Sequence, residues 1–239
     1  MNGSGVQSTE KGKIAAGIAM RVGAIAFFMI VQAVLLFGGA GRIDWSWAWV
    51  YIGISLVTLA VGGAIMLRTS PETVAERGRP GGMRGWDKVV SGVWLVAGFL
   101  ALPLVAGLDA RLGWTHALSA GWHVAGAVVL AVGYGLSIWA MRTNAYFSTA
   151  VRIQSERGHA VCSSGPYRYV RHPGYVGYTL QYLAMAFLLG SLWALLPWLA
   201  ATISMVIRTA LEDRMLHTEL PGYPEYAQQV RYRLIPGVW

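Results

Sequence analysis

Four stretches of this chain, 14–37, 45–67, 89–108 and 120–141, are apolar for about as long as a helix must be to cross a bilayer, ~20 residues. Hydrocarbon offers the backbone no hydrogen-bond partner, so segments of this kind satisfy their N–H and C=O groups internally and fold as helices. Composition agrees: 55% of residues are hydrophobic, 13% are charged, and there are eleven tryptophans. That is too apolar for a water-facing surface. The chain is therefore read as an all-α polytopic integral membrane protein. The first apolar run follows Lys11 and Lys13, as in a secretory signal, but signal cores are shorter. It is read as a retained span, after a polar, mobile stretch over residues 1–13. Arg21, near its start, is long enough to reach back to the interface.

Two shorter runs, 175–189 and 192–207, flank Gly190-Ser191. Each measures about 24 Å as a helix, short for a span, and together they read as a helical hairpin. About five to six transmembrane helices result. Trp45, Trp47 and Trp49 open the second run as an aromatic belt. The 68–88 segment is a charged Gly/Pro-rich loop, and the chain after 207 is polar and helical in pattern to Leu220. No internal repeat is visible.

The net charge of +8 raises the question of nucleic acid, but its distribution answers it. Of the 19 lysines and arginines, all but Arg42 and Arg111 fall at the N-terminus, in 68–88, in 142–174 or after 207. This is a topology signal, placing both termini and the 142–174 segment in the cytoplasm of an inner or plasma membrane protein. No nucleic-acid reader motif is present. The single cysteine, Cys162, excludes an intrachain disulfide. The five histidines lack metal-ligand spacing, so no metal is expected.

Residues 164–178, SGPYRYVRHPGYVGY, do not read as an ordinary loop. Pro173 drives His172 toward extended backbone and can itself open a helix. Gly174 and Gly177 leave room for close approach, and Tyr175 and Tyr178 share a helix face. The Arg171 fork suits a carboxylate. Beyond the last run, Arg208 and Glu212 stand one turn apart, either as a local pair or with Glu212 turned to a bound cation. Asn144 follows the fourth span, where a helix-capping role competes with a functional one. The tyrosines and arginines also fit an interfacial belt. Taken together the set suits a small zwitterion with an aromatic ring: arginine for its carboxylate, Glu212 for its ammonium, tyrosine faces for its cationic or aromatic part.

GHAVCSSGPYRYVRHPGYVGY, paired with RTALEDRMLHTELPGYPEYAQQVRYRLIPGVW, resembles the isoprenylcysteine carboxyl methyltransferase family and the related phospholipid methyltransferases. The likeness covers roughly residues 142–239. The four apolar runs of 1–141 read as scaffold, and the likeness implies a cytosolic cofactor-binding region over 142–239 that includes the 175–207 hairpin. It implies S-adenosylmethionine as cofactor, and a lipophilic acceptor that enters from the bilayer lipids. Carried over by position, His159, Val161, Gly165, Tyr167, His172, Pro173, Tyr175, Tyr178, Arg208 and Glu212 would bind the cofactor. Arg171, with Asn144 assisting, would orient a carboxylate acceptor, and Glu212 or His172 would serve an amine. Many relatives carry two successive glutamates where this chain has Glu212-Asp213, which leaves the role of Asp213 open. The acceptor is an isoprenylcysteine-like carboxylate, another lipid-soluble small acid or a phospholipid amine. A sterol-type reductase using NADPH shares the Arg-His-Pro segment and is the alternative; a non-catalytic scaffold is the third reading.

Overall fold

Over residues 3–78 and 81–239, those described by the computed structural model (side chains from residue 11 onward), the chain is helical and holds no strand. The helices are α1 (Gly3–Ala40), α2 (Ser46–Thr69), α3 (Pro71–Arg77), α4 (Gly85–Trp94), α5 (Leu102–Leu112), α6 (Ala120–Thr143), α7 (Pro173–Leu189), α8 (Leu195–Glu219) and α9 (Tyr223–Gln229). Five segments are long and apolar enough to cross a membrane: Lys11–Ala40, Ser46–Thr69, Gly85–Leu112, Ala120–Thr143 and Leu195–Glu219. The chain is thus the all-helical polytopic membrane protein that its apolar runs imply.

The boundaries differ from the sequence reading in three places. The polar stretch expected over 1–13 is helical from Gly3 onward; residues 1 and 2 lie outside the described residues. The 68–88 loop contains α3, with Pro71 in its first turn, and its residues 79 and 80 lie outside the described residues. The last apolar run and the polar segment behind it form one helix, α8, because Pro197 falls in its first turn and no glycine or proline follows before Pro221.

The third span changes its winding in the middle. Residues Leu95–Ala101 form a π-helical turn between α4 and α5. Pro103 cannot donate to the preceding turn. Gly98, inside the turn, lies directly against the Tyr182 ring, where a β-carbon would clash.

Helix α7 is apolar all round and buried, as its uniform sequence requires. It packs along α6 through backbone rather than side chains. A β-carbon on Gly126 would lie 2.5 Å from Leu188 N, and one on Gly177 would lie 2.8 Å from Gly133 O. Small residues let two membrane helices approach this closely. Gln181 reinforces the contact, donating to Gly133 O and to Ser137 Oγ at 3.2 and 2.9 Å. Leu36, Leu102, Leu130, Met185 and Leu188 fill the centre of the bundle. At its far end Gly190 takes a left-handed φ of 75° and closes α7. Outward-facing Phe27, Ile30, Val57, Val128, Leu196 and Ile203 remain exposed, as suits a lipid-facing surface.

Candidate functional site

The site is assembled where α6 ends and α8 runs past the bundle. Asn144 leaves the helix in extended backbone, and its Oδ1 accepts from Tyr146 N at 2.9 Å. Its Nδ2 lies 3.4 Å from Tyr167 Oη, so it both turns the chain and touches the site. The loop that follows is held by its own polar groups. Buried Gln154 donates to Tyr146 O at 2.7 Å, and Tyr146 Oη donates to Gly158 O at 2.7 Å. Val151 N donates to Asp87 Oδ2 at 2.8 Å, which ties the loop to α4. Gly165 turns the chain at a φ of +55°, so close to Thr143 and Trp139 that no β-carbon fits.

Two buried carboxylates organise the rest. Asp213, with no exposed side-chain surface, accepts from Arg171 Nε at 2.7 Å and Arg171 Nη2 at 2.9 Å. It also accepts from Tyr223 Oη and Arg233 Nε, both at 2.8 Å, and its Oδ1 lies 3.4 Å from His172 Nε2. Asp87, equally buried, accepts from Arg208 Nε at 2.8 Å and from Ser91 Oγ at 3.0 Å. Arg208 also donates to Thr149 O at 2.8 Å, with its guanidinium 5.3 Å over the Tyr175 ring. Backbone pairing completes the frame: Arg171 N donates to Tyr232 O and His172 N to Arg233 O, both at 2.9 Å.

Asp213 therefore joins α8, the segment before α7, α9 and the C-terminal tail. Four of the five Arg171 N–H groups are engaged, since Nη1 donates to Val230 O and Arg231 O at 2.8 and 2.9 Å. Arg171, expected to orient the acceptor, commits these groups to an internal carboxylate and two backbone carbonyls while still lining the cleft. Arg208 likewise reaches α4 rather than Glu212, because Asp87 offers it both oxygens in a buried site.

Between these elements lies a cleft of about 90 Å³, open to solvent. Of the expected residues, Asn144, His159, Val161, Tyr167, Arg171, His172, Tyr175 and Glu212 line it. Gly165, Pro173 and Arg208 sit behind the wall. Tyr178 turns away and lines a second cavity, since α7 presents Tyr175 and Tyr178 to different sides of the partition. His172 has a φ of −127° and a ψ of 60°, short of the extended backbone expected before Pro173, which does begin the helix. The His172 ring stacks on Tyr175, 5.6 Å between centroids and 7° between planes.

Glu212 is the cleft's accessible carboxylate. Tyr175 Oη donates to its Oε2, and its Oε1 has no partner among the described residues. Across the cleft His159 packs on Tyr146 at 4.5 Å, its Nδ1 accepting from Gln154 N at 3.3 Å. Burial, with Arg157 and Arg152 nearby, lowers the His159 pKa, so its ring is neutral at neutral pH. Burial holds the Tyr167 phenol well above its ordinary range.

The expected set of site residues leaves out several members. Phe147, Arg152, Cys162, Tyr223 and Tyr226 line the cleft, and Asp87 fixes its frame. Tyr226 Oη donates to Tyr167 O at 2.7 Å. The signal for Asp87 was a lone carboxylate in the first turn of an apolar helix. The tyrosine pair lay inside the quoted C-terminal block.

The second cavity, about 250 Å³ and mostly apolar, is lined from α1, α2, α3, α4, the π turn, α6 and α7. Phe147 lines the cleft while Tyr178 and Arg77 line this cavity. The three touch: Phe147 meets Tyr178 edge-on at 6.5 Å, the Arg77 guanidinium lies 5.0 Å over the Phe147 ring, and Arg77 donates to Tyr178 Oη at 3.2 Å. A single layer of side chains thus separates a polar cleft from an apolar chamber.

Comparison with known proteins gives a family-model match and a fold likeness. Residues 122–220 match the family model described as phospholipid methyltransferase. No curated protein matches by sequence. Among solved structures the chain is similar to a eukaryotic intramembrane Ras methyltransferase, isoprenylcysteine carboxyl methyltransferase, with a TM-score of 0.53. Identity is 20%, covering 89% of this chain and 75% of that one, and at that level the likeness is one of fold.

Proposed function

We propose that this chain, which shares the fold of the intramembrane methyltransferases and carries the phospholipid methyltransferase match over 122–220, is a membrane methyltransferase that uses S-adenosylmethionine. The observation that carries the reading is the pairing of two chambers across Phe147. One holds a free carboxylate oxygen; the other is mostly apolar.

The cleft's donor set fits the cofactor. Glu212 Oε1 is available for an ammonium or a hydroxyl, and the Tyr146–His159 stack offers aromatic faces to a purine. Gly174 keeps the wall low, for a β-carbon there would lie 2.5 Å from the Phe147 ring. Arg152 Nε is buried without a hydrogen-bond partner, a donor that the protein itself leaves unsatisfied. When bound, the cofactor supplies an electrophilic methyl group. The residues of the chain bind, align and exclude water. A carboxylate acceptor needs no base, only alignment, which can account for ~7–11 kcal/mol of a barrier. An amine acceptor would need a base, and Glu212 and His172, both facing the cleft, are the candidates. Asp213 and Arg171 act as positioning residues: they fix His172 and the α8 wall.

The proposed division follows the sequence reading, with 1–141 as scaffold and 142–239 as the cofactor region. Asp87 is an exception, contributed by the scaffold to the frame of the site. The charge distribution supports a cytoplasmic cleft. NADPH fits less well. Its phosphates need free cations, and the cleft arginines are already paired, Arg171 with Asp213 and Arg152 with Glu76 and Glu156.

Calorimetric titration of the detergent-purified protein with S-adenosylhomocysteine, and in parallel with NADPH, tests the proposal. Saturable binding of the first alone is expected, and it should weaken at least about tenfold in Glu212→Gln, where a charged partner is lost. Binding of NADPH alone would move the chain to the reductases.

A further inference from the structure

The apolar cavity contains two arginines and no acid. Arg21, from α1, and Arg77, at the end of α3, both line it; no aspartate or glutamate does. Arg77 is buried, and its contacts are the Tyr178 hydroxyl and the Phe147 ring face. Arg21 has no hydrogen-bond or ion-pair partner among the described residues. A buried cation without a counter-charge is costly, and a second, partly buried cation beside it adds to the cost. Every other arginine buried to this degree, Arg171 and Arg208, has a carboxylate fitted to it.

The juxtaposition is built into the backbone. A β-carbon on Gly17 would lie 2.7 Å from Ala75 O, and one on Gly78 would lie 3.1 Å from Arg21 N. Glycines thus let α3 dock directly onto α1, at the cost of bringing like charges to one chamber. The sequence reading let Arg21 reach back to the interface. The structure turns it into the cavity instead.

We propose that Arg21 and Arg77 form an anion subsite that fixes the head of a lipophilic molecule in this chamber. The occupant is an amphiphile with an acidic head, carboxylate or phosphate, and an apolar tail among Phe28, Met29, Phe99 and Leu130. Its head lies one aromatic ring from the cofactor cleft, because Arg77 covers the face of Phe147. The pair therefore selects acceptors by charge. Calling the occupant an acceptor rests on the methyltransferase reading; the anion subsite does not.

The test uses the full chain in a neutral detergent. Trp94 lines the cavity, and brominated lipids quench tryptophan at contact range. Quenching is titrated with 9,10-dibromostearate, its methyl ester and a dibromostearoyl phosphatidic acid, with Trp94→Phe as baseline. At least one of the two acids should quench saturably at a concentration about tenfold below that of the ester. A preference for the fatty acid over the phospholipid assigns a carboxylate head, and the reverse a phosphate head. The preference should vanish in Arg21→Gln/Arg77→Gln and persist in Arg77→Lys. Equal quenching by acids and ester would overturn the proposal, as would a preference that survives the double substitution.

Titration with S-adenosylhomocysteine reports on the fold of each variant. Should the double variant lose that binding, Arg21→Gln alone decides, since this side chain has no hydrogen bond or ion pair to lose. A protein that prefers the acids yet never binds S-adenosylhomocysteine keeps the subsite and loses the methyltransferase reading. One that binds S-adenosylhomocysteine and treats acid and ester alike does the opposite.

Discussion

Arg171 and Asp213 meet fork to fork, Nε to Oδ1 at 2.7 Å and Nη2 to Oδ2 at 2.9 Å, across 42 residues of sequence. The carboxylate has no solvent exposure and the guanidinium almost none. Removing either partner leaves the other charge buried. Arg171→Ala and Asp213→Asn are each expected to destabilise the protein by about 3–5 kcal/mol, and the double variant by less than their sum. Thermal unfolding in detergent measures this. Additive losses would mean that the two side chains act independently.

The α6–α7 contact depends on particular glycines. Gly126→Ala would press a methyl group into the backbone at Leu188, whereas Gly135, on the same helix, faces open space. The first substitution is expected to cost about 1–3 kcal/mol. The second should be neutral or mildly stabilising, by helix propensity. Equal effects on the unfolding midpoint would contradict the close packing.

Cys162 is the chain's one thiol and lines the cleft. Burial raises its pKa despite hydrogen bonds from Ser164. Alkylation by iodoacetamide at pH 7 should therefore be slower than for a free cysteine and keep accelerating above pH 9. S-adenosylhomocysteine should slow it further. Unchanged rates with ligand present would place the ligand elsewhere.

His159 carries a pH signature. Its folded pKa lies below the ordinary 6.5, chiefly through burial, so the unfolded chain binds the proton more readily. Its effect on stability is absent above pH 6.5. Stability falls as pH drops from there through the folded pKa, where the acceptor for Gln154 N is also lost. His159→Gln should lose less of its unfolding midpoint between pH 7.5 and 5 than the wild type does. Parallel pH profiles would assign the acid sensitivity to other groups.

Much of this was legible along the chain. Apolar run length announces the helices, because a bilayer demands internally bonded segments whatever their neighbours. Pro173, Gly190 and Gly222 mark helix ends through their own backbone preferences. The crowding of aromatic and cationic residues over 144–178 and 208–233 announces a site, and the two segments do converge on one cleft.

Pairings were another matter. Nothing local tells Arg208 to choose Asp87, 121 residues away, over Glu212 on its own helix, or Arg171 to choose Asp213 over a ligand. Those choices belong to burial, because a carboxylate stripped of water takes the cation that packing brings within 3 Å. Likewise, helical spacing places Tyr175 and Tyr178 on one face, but only the packing of α7 between two chambers sends them to different ones. The sequence by itself determined that the chain is a helical membrane protein and which residues crowd around one site. Tertiary structure decided which of those charges are bound internally and which, like Glu212 and Arg21, are left for something else.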